Sequence, residues 1–421
     1  MTRDIINNLL GIKEAYEMPN KLMQILENKS DREELFEKFL EQEKDLSFDW
    51  FTDYFQNEQG DRDALKQDFT PNCICEIISK LEEPTDTVTD ICSGTGGLFI
   101  KHWTANKKAY FHCEEISSRT IPILLFNMAI RGVNGELVHG DSLEQTIECA
   151  YLLKSNGKFS DIIKAEQPTL VKTKKVISNP PYSLSWNITL KQFDKRFQGY
   201  PIAPKSKADY AFILHGLYQL EDNGTLLAIL PHGVLFRGAA EGKIREQLIK
   251  ENLIDAVIGL PDKLFLNTGI PVLILVLKKN RKNNDMLFID ASKEFITGKS
   301  KKQNEMSTEN INKIVEAYKN RRFVDKFAYV SSIEKIAEND YNLNIPRYVD
   351  TYEPPEIPDL LETLEELKDI ERQIKETSIF LLKQMKQLEG TTPEAEKRHI
   401  KEVDKFEEIL IEKYGKEQIH G

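Results

Sequence analysis

No apolar run in this 421-residue chain reaches the roughly 18 residues that a membrane-spanning helix needs. The opening residues, MTRDIINNLL, lack the apolar stretch and small-residue cleavage site of a secretory signal, so a cytoplasmic setting is expected. Cysteine is scarce. The five present (Cys73, Cys75, Cys92, Cys113, Cys149) are odd in number and lie in or beside apolar segments, which argues for free thiols in a reducing compartment. Cys73 and Cys75 have no second Cys/His pair at zinc spacing, so no metal site is expected. Positive charge is also short: 57 Lys and Arg stand against 68 Asp and Glu, a net charge of −11. A chain that grips nucleic acid alone usually carries a basic face. Any such work by this chain therefore calls for a partner.

What is present reads as alternating strands and helices. The first 60 residues are polar and helical in pattern. Ser30-Asp31-Arg32-Glu33 has the form of a capping box ahead of Leu35, Phe36, Phe39 and Leu40. A polar stretch at 56–63, with Gly60, suggests a boundary, so residues 1–60 are expected to form a small helical domain. Thr70 and Pro71 then suit the N-cap and first position of a helix carrying Ile74, Ile77, Ile78 and Leu81.

From Val88 the pattern becomes βα. A short strand ends at Asp90-Ile91, and Gly94-Thr95-Gly96-Gly97 follows as a turn where the backbone can approach a ligand closely. It is neither a Rossmann dinucleotide turn, because Phe99 occupies the third glycine position, nor a P-loop, because no Gly-Lys-Ser/Thr follows. The next strand ends in Glu114-Glu115, about twenty residues on, where an acid that binds ribose hydroxyls is expected. A third ends in Gly140-Asp141, and Asp141 is equally suited to capping the next turn.

The sharpest local feature is Asn179-Pro180-Pro181-Tyr182, after the apolar Val176-Ile177. Two prolines fix two φ angles and push the preceding residues into extended conformations, so a strand ends rigidly with polar acceptors held out. Tyr182 adds a ring to stack on. Beyond it lies an aromatic, basic loop (Trp186, Lys191, Phe193, Lys195, Arg196, Phe197, Tyr200), then a helix opening at Asp209. Strands are expected at 224–230, 253–259 and 271–277. A turn at 260–265 either presents Phe265 to a site or buries it in the core. This alternation argues for a doubly wound, mostly parallel sheet. Past the prolines at 354, 355 and 358, Leu360, Leu364, Leu367, Ile374, Leu381, Met385 and Leu388 follow a 3-4 alternation. A second amphipathic helix starts after Pro393, and residues 351–421 are expected to dock on a partner or fold back as a hairpin.

In combination and in order, these stretches resemble the N6-adenine DNA methyltransferases with an Asn-Pro-Pro-Tyr motif. The chain looks most like the modification subunit of type I restriction-modification systems. The resemblance runs through Phe69-Thr70-Pro71, Asp90 to Gly97, Glu115, Gly140 to Leu143, Asn179 to Tyr182 and Asp209. It continues through Ile258 to Pro261, Thr268 to Pro271 and Tyr341 to Tyr348. The chain departs from the usual pattern at Ile91, where that family commonly has proline, and at Asp68. The resemblance implies a methyltransferase-type α/β domain over residues 61–350 that binds S-adenosylmethionine. Thr70, Asp90, Gly94, Gly96 and Gly97 would lie at the methionine part, Glu115 at the ribose and Asp141 at the adenine. A flipped target adenine would bond to the Asn179 oxygen and the Pro180 carbonyl, and would stack on Tyr182 with Phe265. It further implies double-stranded DNA as substrate, with a specificity subunit, a second copy of this chain and a restriction subunit as partners. Protein glutamine methylation and a catalytically silent scaffold remain alternatives at this point.

Overall fold

Strand β1 (Thr87–Ile91) is the axis of the molecule. It pairs in parallel with β2 (Tyr110–Glu115) on one side and with β6 (Thr173–Ser178) on the other. The computed structural model describes residues 1–52, 54, 69–169, 172–266, 268–298, 303–352 and 359–420. The expected boundary at 56–63, Asp68 and the 354–358 prolines lie outside them. β3 (Asn134–Asp141) extends the parallel core beyond β2, and β7 (Leu220–Pro231) extends it beyond β6. The chain therefore winds one way from β1 and then crosses back, leaving a topological switch point between β1 and β6. In an open α/β sheet, ligands bind at such a point, at the carboxyl ends of the strands.

The doubly wound core follows the sequence pattern, but the flanks are antiparallel. Beyond β3 come β4 (Thr146–Ser155) and β5 (Ser160–Ala165). Their connections are too short for a helical crossover, so they return as hairpins. On the other flank β9 (Val272–Lys278) lies antiparallel between β7 and β8 (Ile254–Gly259). β10 (Met286–Asp290) and β13 (Ala328–Ser331) complete the eleven strands, while a separate two-stranded ribbon pairs β11 (Ile296–Thr297) with β12 (Asn304–Glu305).

Alternation along the central strands sends successive apolar residues to opposite faces. Ile177 and Leu227 join one core with the helices after β1 and β2, while Val176 and Leu226 join the other with the helices after β6 and β7.

The N-terminal helices α1 (Arg3–Leu10), α2 (Met18–Glu27) and α3 (Lys29–Gln42) belong to this same compact unit, Met1–Thr351. They cover the helix Ile121–Ile130, all ten of whose residues are buried. Phe36, Phe39, Trp50 and Phe51 surround Phe126 at ring-centroid distances of 4.8–6.5 Å. A helix apolar on every side must be covered on both faces, so the described residues among 1–54 form an outer layer of the main core in place of the separate domain expected. α3 is capped two residues earlier than expected: Asn28, whose side chain accepts from the Asp31 N–H at 3.2 Å, is the cap in place of Ser30.

The second unit, Tyr352–Gly421, contains the helices Leu360–Met385 and Pro393–Tyr414. They meet through Leu382, Val403 and Leu410, with His399 Nε2 on the Met385 carbonyl at 2.8 Å. The first half of the long helix leaves Leu360, Leu361, Leu364, Leu367, Ile370 and Ile374 between 44% and 73% exposed.

Candidate active site

The ends of β1 and β6 lie at the same level, with Ile91 opposite Ser178, and the Ser178 hydroxyl donates to the Ile91 carbonyl at 2.8 Å. That register brings the glycine turn and Asn179-Pro180-Pro181-Tyr182 together, 85 residues apart in sequence between Gly94 and Asn179. Between them opens a cleft lined by Thr70, Gly94, Gly97, Glu115, Asp141, Asn179, Pro180 and Tyr182, among others.

Asn179 is oriented by its neighbours. Its Nδ2 donates to Thr70 Oγ1 at 3.0 Å, and its Oδ1 accepts from the Tyr182 hydroxyl at 2.8 Å. Thr70 is therefore not the helix cap expected; Pro71 takes that place, and the helix runs Asn72–Leu81. An amide oxygen carries two lone pairs, so Oδ1 can hold Tyr182 and still accept from a second donor. The turn after Tyr182 is set by Asp209, fully buried, whose Oδ1 accepts from the Ser183 N–H at 2.8 Å while its Oδ2 pairs with Arg237 at 3.0 Å. That pairing lets Ser183 sit at a φ of 51°.

Phe265 behaves differently from the expected second stacking surface. It is 3% exposed and meets Tyr182 edge-on, centroids 6.1 Å apart and planes at 83°. Its ring braces Tyr182 and offers no open face.

On the opposite wall, Glu115 Oε2 accepts from the Gly94 N–H and Oε1 from the Ser117 N–H, both at 2.8 Å. Burial pushes its carboxyl above the usual range against those two bonds. Asp141 Oδ1 accepts from the Leu143 and Glu144 N–H groups at 2.8 and 3.0 Å. Gly94 and Gly97 stand on the cleft wall, and a Cβ on Gly94 would come within 3.0 Å of the Phe69 ring.

Asp90 and Gly96, also expected at the cofactor, lie beneath that wall. Gly96 turns the chain at a φ of 98°, with no room for a Cβ against Phe99. Asp90 is fully buried, one oxygen accepting from the Phe99 N–H at 3.2 Å, and burial drives its carboxyl well up. Its Oδ1 has no hydrogen-bond partner among the described residues.

Two contributors escaped the sequence reading. Thr52, from the N-terminal layer, lines the cleft. Asn127 donates from one Nδ2 to both the Asp49 carboxylate and the Thr95 carbonyl, each at 2.8 Å, so the N-terminal layer is tied to the glycine turn itself. Arg131 reinforces the tie through the Leu46 and Phe48 carbonyls at 2.9 and 2.8 Å. The signal in the sequence was a pair of polar residues at one end of an otherwise wholly apolar helix.

A doubly wound sheet with acids at successive strand ends, a glycine turn and a rigid amide across the cleft defines the methyltransferase type of α/β domain. The groups present fit S-adenosylmethionine: acceptors for hydroxyls and amines, an open backbone cradle and an unsatisfied buried carboxylate oxygen beneath it. The chain belongs to the N-6 DNA methylase family, whose model matches residues 46–356. It is 34% identical over 333 residues to the type I restriction enzyme MpnII methylase subunit of Mycoplasma pneumoniae, covering 73% of this chain and 59% of that one. To the MjaVIII methylase subunit of Methanocaldococcus jannaschii it is 32% identical, covering 78% and 57%. The chain thus matches less than two thirds of the length of these relatives. Among solved structures, the type I restriction-modification methyltransferase subunit from Streptococcus thermophilus superposes with a TM-score of 0.59 at 40% identity, over 68% of this chain and 59% of that one.

Proposed function

We propose that this chain transfers a methyl group from S-adenosylmethionine to the N6 of a flipped adenine in double-stranded DNA, as the modification subunit of a type I-like restriction-modification complex. The observation that carries this reading is Asn179, just past the end of β6, its amide held between Thr70 Oγ1 and the Tyr182 hydroxyl in the cleft that Glu115, Asp141 and the glycine turn also line. An exocyclic adenine amine is a poor nucleophile because its lone pair is delocalised into the ring. Two acceptors on its hydrogens, Asn179 Oδ1 and the Pro180 carbonyl, favour a pyramidal nitrogen with a free lone pair. Tyr182, braced by Phe265 and by its bond to Asn179, holds the ring face in place. The cofactor, when bound, supplies an electrophilic methyl on a sulfonium centre. Positioning and directed hydrogen bonds then carry the rate, with no covalent intermediate on the protein.

The acidic balance and the exposed apolar stripe on Leu360–Met385 support a specificity subunit as the source of DNA grip, with a second copy of this chain and a restriction subunit completing the complex. Five free cysteines support a reducing, cytoplasmic setting. No helix among the described residues is long and apolar enough to cross a membrane.

The test is transfer of labelled methyl from S-adenosylmethionine to DNA by the complex assembled from the native host. Asn179→Ala should lower turnover by about 10²- to 10³-fold while cofactor affinity stays unchanged. Undiminished methylation by that variant would refute the assignment.

A further inference from the structure

A buried chain of polar side chains joins three parts of the site that the mechanism treats separately. At its centre is Arg196, in the loop that follows Tyr182, with its side chain 1% exposed. Its guanidinium donates to the Ser142 and Leu143 carbonyls, the latter at 2.7 Å, and to Asp194 at 2.7–3.2 Å. It also donates to His215 Nδ1 at 2.9 Å, which leaves the proton of that ring on Nε2, bonded to Glu114 Oε2 at 2.9 Å. Glu114 immediately precedes Glu115. It accepts as well from Gln219 and from His112, whose other nitrogen meets Glu136 at 2.7 Å. Lys191, from the same loop as Arg196, adds a bond to the Leu143 carbonyl at 2.8 Å.

The peptide planes at Ser142 and Leu143 are thus held from both sides. The Leu143 and Glu144 N–H groups point back to the Asp141 carboxylate, and the Ser142 and Leu143 carbonyls point out to Arg196 and Lys191. The direction of the Asp141 carboxylate therefore depends on a residue of the 183–208 loop. That loop exposes Leu190 and Phe193 at 65% and 77% and begins beside the ring that would hold the base.

We propose that Arg196 is a positioning residue that couples the cofactor's adenosine pocket to the loop flanking the target base, so that filling either site favours order in the other. This rests on the methyltransferase reading above. Coupling of this kind is reciprocal: if bound cofactor tightens DNA, bound DNA tightens cofactor by the same factor.

The experiment measures S-adenosylmethionine affinity calorimetrically on the full chain, and cofactor KM and kcat on the assembled complex with DNA. For Arg196→Met, cofactor affinity should fall by roughly tenfold, with KM rising to match and kcat at saturating cofactor little changed. Arg196→Lys should recover part of the loss, since an ammonium still reaches a carbonyl but cannot bridge both. The ratio of cofactor affinities with and without DNA should shrink towards one. A purely structural role would lower the melting midpoint and leave the affinity of the folded protein and that ratio intact, and this result overturns the proposal. Should Arg196→Met fail to fold, Arg196→Lys decides: it keeps the charge but cannot hold both carbonyls, and an unchanged cofactor affinity with an unchanged DNA ratio there refutes the coupling. Absence of cofactor binding by the unmodified chain would instead sink the methyltransferase reading itself.

Discussion

Thr70 shows how much a single hydroxyl decides here. With its oxygen accepting from Asn179 Nδ2, it fixes which end of the amide is nitrogen and leaves Oδ1 to the Tyr182 hydroxyl. Thr70→Val keeps the shape and removes the acceptor, so the amide loses one of the bonds that orient it and keeps the one from the Tyr182 hydroxyl. Turnover should drop by about tenfold, the equivalent of roughly one buried hydrogen bond, in single-turnover methyl transfer. Glu115 makes a pH prediction. Its carboxyl is raised above 4.5 by burial, and in the proposed cofactor site the ionised form is the better acceptor for ribose hydroxyls. Cofactor affinity should therefore fall as pH drops, beginning above pH 4.5. Glu115→Gln should bind weakly at every pH and flatten that profile in calorimetric titrations. For stability the sign is opposite: a carboxyl raised in the folded state favours folding as it is protonated, so Glu115 does not contribute to acid unfolding.

At the scale of elements, the glycine turn is where local conformation and packing meet. Gly96 holds a φ of 98° with Phe99 and Leu124 pressed against the place a Cβ would take, 2.1 and 2.9 Å away. Gly96→Ala should cost about 2 kcal/mol and lower the melting midpoint by several degrees in calorimetry. A midpoint equal to the parent's would show that the turn relaxes freely. The same scale separates what was readable from what was not. Asp90, Glu115 and Asp141 stand at strand ends as their sequence positions indicated. Yet Asp90 is under the wall, held on the Phe99 N–H, while Glu115 stands on it with its oxygens on the Gly94 and Ser117 N–H groups. Strand periodicity says which residues end a strand and not how deep that strand lies. Likewise Phe265 reads as a candidate for any aromatic role. Only its packing against Tyr182 makes it a brace.

At the scale of the whole molecule, the exposed stripe of the long helix Leu360–Met385 makes a clean test of partner docking. Leu364 and Leu367 are 44% and 50% exposed in the isolated chain, so replacing both with Glu should alter its own stability by well under about 1 kcal/mol. The double variant should bind cofactor like the parent and fail to co-purify with a specificity subunit. Retention of that partner would move the docking surface elsewhere. The N-terminal layer makes a complementary point. Its helices look autonomous in sequence because their polar faces dominate, but the apolar face of Ile121–Ile130 needs them, and Asn127 carries their influence to the Thr95 carbonyl.

Sequence alone determined the alternation of strands and helices, the acids at the ends of the first strands, the rigid Asn-Pro-Pro-Tyr edge and the acidic balance. These follow from backbone restrictions, side-chain periodicity and net charge, which act locally or simply add. Tertiary structure decided the rest: the orientation of Asn179 by Thr70, the burial of Asp90 and Phe265, the union of the N-terminal helices with the main core, and the Arg196 chain linking loop to pocket. The Asn179 and Arg196 links join residues 19 to 109 positions apart, and depend on which of several polar partners is nearest once the strands are in register. No local rule carries that information, because desolvation and hydrogen-bond direction are properties of the assembled core.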